Sequence, residues 1–150
     1  MQLEERINAF VQLGKFLGQF SYTPAKVSSG TWFENFEKKT DILKNDEFYE
    51  GMCEQLEAAK NYNGWFTLDN LSFACQSWSE ALSEASIRKW VSAYDFNVVN
   101  PKRVAIIMAG NVPLVGFHDF LSVLMSGHKV VVKLSSNDKQ LLPFLAKYVI

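Results

Sequence analysis

Cysteine is scarce. Cys53 and Cys75 are the only two in 150 residues, too few for a disulfide framework or a structural zinc site. Reduced thiols in a cytoplasmic protein are the corresponding expectation. Four prolines and eight glycines exclude a collagen-like or linker-dominated chain. Long apolar runs are missing as well. The longest mostly apolar stretch, Val112 to Met125, contains His118 and Asp119 and is too short to span a bilayer. The opening Met1-Gln2-Leu3-Glu4-Glu5-Arg6 is acidic and amphipathic, without the basic region and apolar core of a secretory signal. Neither sign of charge predominates. A net charge of −1 provides no general field for nucleic acid. What the chain does have is apolar bulk, 48% hydrophobic and 14% aromatic, so disorder is excluded. A chain of this length buries roughly 68–70% of its unfolded surface and needs no covalent or metal staple.

The charges are unevenly spread. Residues 1–99 hold 9 basic and 14 acidic side chains, whereas residues 100–150 hold 6 and 2. A basic last third suits a small ligand that carries phosphate.

The first 95 residues are expected to be a helical region. Leu3, Ile7, Phe10, Val11, Gly14 and Leu17 recur at helical spacing, and Leu13, Phe16 and Phe20 widen the stripe. Thr23-Pro24 and Ser28-Ser29-Gly30 mark a loop, followed by a short helix around Trp32–Lys38. Phe48, Met52, Leu56 and Ala59 define another helix, which stops near Asn61-Tyr62-Asn63-Gly64. Thr67 is a candidate N-cap for a helix that buries Leu71, Cys75, Trp78 and Leu82. Ser83 caps the next, with Ile87, Trp90, Val91 and Tyr94 on its apolar side.

The pattern changes after Asn100-Pro101. Residues 103–108, RVAIIM, form a short apolar run expected of a strand buried on both faces. A glycine-bearing loop, Ala109 to Pro113, leads to a helix over Leu114–Ser126 that ends at Gly127. Lys129 to Lys133 is a second β-branched strand. Strand, helix and strand in this order make a βαβ unit with a right-handed parallel crossover. The expected fold is therefore α/β, a helical region over residues 1–95 followed from residue 96 by the first βαβ of a doubly wound nucleotide-binding sheet. Ser136-Asn137-Asp138 starts a last helix, with Pro143 in or near its first turn. Two parallel strands leave their outer edges unpaired, so the chain is expected to be the front part of a longer protein.

Ligands of open α/β sheets bind at the carboxyl ends of the strands. Gly110-Asn111-Val112-Pro113 falls there and opens a helix, where free N–H groups attract anions. Asn111 adds a side-chain amide. The same residues also suit an ordinary tight turn. Lys133 ends the second strand, followed by Ser135, Ser136 and Asn137. These groups suit a ribose or phosphate, and equally a solvated lysine with a helix cap. No P-loop and no G-x-G-x-x-G is present. His118 and His128 lack zinc-ligand spacing with either cysteine, and the adjacent His118-Asp119 pair points in two directions. Cys53 and Cys75 fall on apolar helix faces, as buried inert thiols do.

The segments Val104 to Leu114 and Ser126 to Ser136 together resemble the start of the nucleotide-binding domain of the aldehyde dehydrogenase superfamily. The run AGNVPLVGFHDFLSVLMSGHKVVVKLSSND is more particularly similar to the acyl-CoA reductases that make fatty aldehyde for bacterial luciferase. The resemblance covers roughly residues 103–147. It implies reduction of an acyl-CoA to an aldehyde by NADPH, with NADH the alternative, through a thioester on an enzyme cysteine. It also implies that Asn111 helps hold the oxyanion and that Lys133 bonds the adenosine ribose. Ala109, Gly110, Ser135 and Ser136 complete the expected cofactor contacts. Ser136 stands where NAD-preferring relatives often carry a glutamate, and so favours a 2′-phosphate. The superfamily's catalytic cysteine lies downstream of Ile150, so these residues alone are expected to be inactive. No nucleic-acid partner and no membrane span are expected, and a homo-oligomer is compatible. Two other functions fit the residues. One is a non-catalytic helical interaction module with a structural βαβ. The other is a superfamily member acting on a free aldehyde or an acyl phosphate.

Overall fold

A computed structural model describes residues 1–21, 36–96 and 100–149. The chain order is α1 (Leu3–Leu17), a 3₁₀ turn (Gly18–Phe20), α2 (Asn45–Tyr62), α3 (Leu68–Ala81), α4 (Glu84–Val91), β1 (Arg103–Ile107), α5 (Phe117–Met125), β2 (Lys129–Lys133) and α6 (Leu141–Val149). Among the described residues the architecture is α/β: four α-helices, then a strand, a helix, a parallel strand and a last helix.

Helix α1 is the central element because its apolar stripe is unusually wide. Ile7, Phe10, Leu13, Phe16 and Leu17 are all buried, Leu13 and Phe16 completely. Gly14 lets the end of α3 approach: a methyl group there would lie 2.7 Å from Leu82 Cβ. Both expected N-caps form. The Thr67 hydroxyl accepts from the N–H of Asn70 and the Ser83 hydroxyl from that of Ser86, each satisfying an otherwise orphaned donor. Helix α4 stops at Val91, so Tyr94 lies beyond it and is exposed rather than buried in its stripe. The loop expected at Thr23–Gly30 and most of the helix expected at Trp32–Lys38 lie outside the described residues. Phe36 to Lys38 are not helical. Phe36 packs its ring on Phe20, and three residues on the backbone N–H of Lys39 donates to the buried Gln19 side chain.

Aromatic packing joins the βαβ unit to the helices. Phe117 at the start of α5 meets Phe10 of α1 and Trp78 of α3, with ring centroids 6.4 and 4.6 Å apart. On α6, Tyr148 stacks on Phe16 at 4.6 Å and meets Phe48 of α2 edge-on at 5.2 Å. Its hydroxyl donates to the carbonyl of Leu43 at 2.6 Å. The buried apolar residues form one cluster running from Ile7 to Tyr148.

The strands pair in parallel, with Arg103 opposite Lys129 and Ile107 opposite Lys133. The expectation that β1 is buried on both faces is corrected. Both strands alternate between exposed and half-buried positions. Val104, Ile106, Val130 and Val132 occupy the half-covered positions. On the other face Ile107 is 81% and Val131 55% exposed. Two β-branched strands read the same in sequence whether one face is covered or two.

Helix α5 ends as expected. Gly127 adopts φ 81°, and the N–H groups of Gly127 and His128 return to the carbonyls of Leu124 and Val123. This is the paired closure of a helix by a left-handed glycine.

Candidate functional site

The candidate residues come from the loops that leave the carboxyl ends of β1 and β2. The two loops stay together beyond the strands, because the N–H of Met108 donates to the carbonyl of Lys133 at 3.0 Å. Two residues later Gly110 is buried against Ser135. A methyl group on Gly110 would come within 2.6 Å of both Cβ and Oγ of that serine. The glycine is needed because the Ser135 side chain fills the space a Cβ would take, and its φ is not left-handed.

Around this contact four of the expected site residues are presented to solvent. Ala109, Asn111, Lys133 and Ser136 are exposed, Ser135 is half-buried and Gly110 is buried. The structure thus brings Gly110 and Ser135 into contact and sets Asn111 and Lys133 on the same end of the sheet. Ser135 Oγ accepts from the N–H of Asn137 at 3.3 Å. Asp138 is the one acidic residue between β2 and α6. Burial pushes its pKa up, while backbone N–H groups of Leu141 and Gln140 oppose the shift. That carboxyl therefore serves the start of α6, which begins at Leu141 rather than at Ser136. Pro143 sits in the first turn of α6 as expected.

One expectation about this loop is overturned. Residues 110–113 do not open a helix, and α5 starts only at Phe117. Leu114 has φ 58°, a left-handed conformation that interrupts helical backbone. Residues 113–116 form turns instead, and Phe117 N–H donates to the carbonyl of Leu114 at 3.0 Å. The free N–H groups of the helix end lie well past Asn111. Asn111 therefore stands six residues before the first residue of α5 and is not itself part of a helix N-terminus.

His118 and Asp119 approach to 3.9 Å rather than diverging, but both side chains are about two-thirds exposed. At that separation they form no hydrogen-bonded dyad. Among the described residues no group of three or more His, Cys, Asp or Glu side chains is placed to hold a metal ion. No helix among them is long and apolar enough to cross a membrane.

The sequence profile of one protein family, Acyl-CoA reductase (LuxC), matches residues 26–150. The chain belongs to that family. No curated protein and no solved structure matches it. At family level the activity is acyl-CoA reduction, and the match takes in the whole βαβ unit with both loops of the rim.

The two thiols of this acyl-CoA reductase chain are poor nucleophiles. Burial pushes the pKa of Cys53 on α2 up to about 11 and that of Cys75 on α3 up to about 12. A thiolate is the reactive form, and neither cysteine supplies one near neutral pH. Both occupy the apolar helix faces where their spacing puts them, at 2% and 1% exposure.

One rim residue was not visible as such in the sequence. Asn63, in a run that reads only as a helix stop, donates from Nδ2 to the carbonyl of Gly110 at 2.8 Å. The contact spans 47 residues and joins the C-terminal end of α2 to the loop after β1. Its only sequence signal is an asparagine just beyond a helix end.

Proposed function

We propose that this chain is the N-terminal part of an NADPH-dependent acyl-CoA reductase of the aldehyde dehydrogenase superfamily, with residues 96–150 beginning its dinucleotide-binding domain. The match to the acyl-CoA reductase family over residues 26–150 carries this reading. It favours an acyl-CoA substrate over a free aldehyde or acyl phosphate, and an enzyme over an interaction module.

The donor set at the rim fits a ribose- and phosphate-bearing cofactor. It offers the Lys133 ammonium, the Ser135 and Ser136 hydroxyls and the backbone of Ala109 and Gly110. The Asp138 carboxyl is engaged by the backbone of α6. Lys133 would bond the ribose hydroxyls, and Ser136 would leave room for a 2′-phosphate without charge repulsion. NADPH held there would supply the hydride for reduction of the acyl group to the aldehyde level. Asn111 donates its amide N–H to the oxyanion that forms when a thiolate adds to the acyl carbonyl, and removing one such donor typically costs about 10²–10³ in turnover. Cys53 and Cys75 are excluded from the nucleophile's role by their burial. The resemblance to the aldehyde dehydrogenase superfamily assigns the thiolate to a cysteine other than these two.

The test uses two substitutions in the full-length enzyme. Asn111→Ala is expected to suppress kcat while leaving the NADPH dissociation constant nearly unchanged. Lys133→Ala is expected to raise that dissociation constant. Normal turnover in the first variant removes Asn111 from catalysis, and unchanged affinity in the second removes Lys133 from the cofactor site. The isolated 150-residue chain is expected to form no aldehyde from acyl-CoA and NADPH, and aldehyde production by it would overturn the assignment of the nucleophile.

A further inference from the structure

An oxyanion donor works only when it is aimed before the charge develops, since reorienting it during the reaction consumes the gain. Asn111 is exposed, and α5 begins too late to anchor it. Something else must fix the direction of its peptide.

Gly110 and Asn111 share one planar trans peptide, in which the carbonyl and the following N–H point in opposite directions. Whatever holds the Gly110 carbonyl therefore also sets the plane from which Asn111 projects. The carbonyl is held by Asn63 Nδ2 at 2.8 Å. The orientation of the Asn63 amide is itself determined, because its Oδ1 accepts from the N–H of Trp65 at 3.0 Å. Its backbone is anchored on both sides. The Asn63 N–H donates to Ala59 at 3.1 Å, and its carbonyl accepts from Phe66 N–H at 2.9 Å. Phe66 is buried. Ser135 stands within contact of the space a side chain on Gly110 would need. The peptide is thus gripped between the helical region and the loop after β2.

We propose that Asn63 is a positioning residue for Asn111: by holding the Gly110 carbonyl it aims the Asn111 amide groups at the developing oxyanion. The helical region, remote from the reaction in sequence, then contributes to turnover through this one hydrogen bond. This rests on the oxyanion role given to Asn111 above. Misaiming a reacting or stabilising group can cost about 10²-fold, so loss of the bond is expected to lower kcat about 10- to 100-fold.

The experiment compares Asn63→Asp, Asn63→Ser, Asn111→Ala and the double variant Asn63→Ser/Asn111→Ala in the full-length enzyme. Aspartate matches asparagine in shape but turns an acceptor toward the Gly110 carbonyl. Serine keeps a hydroxyl able to accept from the Trp65 N–H but is too short to reach Gly110. For each variant, kcat, the acyl-CoA KM, the NADPH dissociation constant and the melting temperature are measured. The expected result is a lowered kcat in both Asn63 variants, with KM and NADPH affinity within about twofold of the parent. In the double variant the loss should be smaller than the product of the single losses, as for groups acting through one another. Should Asn63→Asp fail to fold, Asn63→Ser provides the same reading. Normal kcat in Asn63→Ser overturns the proposal, as does a double variant whose losses multiply. If Asn111→Ala loses turnover while Asn63→Ser does not, only the positioning role falls. If Asn111→Ala turns over normally, the oxyanion reading falls with it.

Discussion

The contact between Gly110 and Ser135 makes a quantitative claim about how tightly the two rim loops are packed. Gly110→Ala would put a methyl group 2.6 Å from Ser135 Cβ and Oγ, well inside van der Waals contact. The next neighbour, Asp138 Cβ, would be 3.4 Å away and need hardly move. Overpacking of this kind costs roughly 1–3 kcal/mol. Replacing glycine by alanine returns about 0.4–1 kcal/mol by restricting the unfolded chain. A net destabilisation of about 1–2 kcal/mol is expected. The clash comes entirely from atoms that serine has and glycine lacks, so Ser135→Gly should relieve it. That second change alone is also destabilising, because it frees the chain and removes the acceptor of the Asn137 N–H. The double variant Gly110→Ala/Ser135→Gly should nevertheless be more stable than the sum of the single effects allows, by about 1 kcal/mol or more. Urea unfolding of the four proteins, followed by tryptophan fluorescence, measures the coupling. Additive single effects would refute the packing described for this rim, and so would a Gly110→Ala protein as stable as the parent.

Tyr148→Phe keeps the ring stacked on Phe16 but removes the donor to the Leu43 carbonyl at 2.6 Å. A loss of about 0.5–1.5 kcal/mol is expected from the hydrogen bond removed, and an unchanged urea midpoint would contradict that bond. Cys53 and Cys75 have pKa values raised by burial from 9.0 to about 11 and about 12. A raised folded-state pKa means that the neutral thiol is favoured in the native protein. This contribution to stability is complete below about pH 9 and is lost as pH climbs through 11 to 12. Stability should decline over that range, less steeply in Cys75→Ala, and an identical slope in the two proteins would argue against burial as the cause. Native protein at pH 8 should likewise resist a thiol-modifying reagent that titrates both cysteines once it is unfolded.

Local physics made most of the elements legible. Helical spacing of Phe48, Met52, Leu56 and Ala59 placed α2, whose buried residues include all four. Thr67 and Ser83 marked helix starts because their side chains satisfy backbone donors within three residues, an interaction entirely encoded in short-range sequence. Gly127 marked the end of α5 for a similar reason, since left-handed backbone there favours a residue without Cβ. The two β-branched runs gave strands in the expected parallel pairing. Covering of the sheet is a different matter. Ile107 and Val131 are apolar, yet whether an apolar strand face meets a helix depends on where the rest of the chain goes. Asn63 was opaque for the same reason, because its partner lies 47 residues away.

Leu114 shows how tertiary packing overrides a correct local preference. Leucine is a good helix former, and the spacing of Leu114, Phe117, Leu121 and Met125 is helical, so beginning α5 at Leu114 is the natural reading. The backbone instead takes φ 58° at this residue, a left-handed conformation that costs about 1–2 kcal/mol. The side chain is only 3% exposed, and full burial of a leucine, worth about 1.5–3 kcal/mol, offsets that cost. The helix accordingly starts three residues later, at Phe117. The consequence reaches the candidate site. A helix begun at Leu114 would have brought its end dipole close to Asn111, whereas the delayed start leaves that residue on a turn whose aim must be fixed from outside. The same packing that removes the dipole thus makes the hydrogen bond from Asn63 matter.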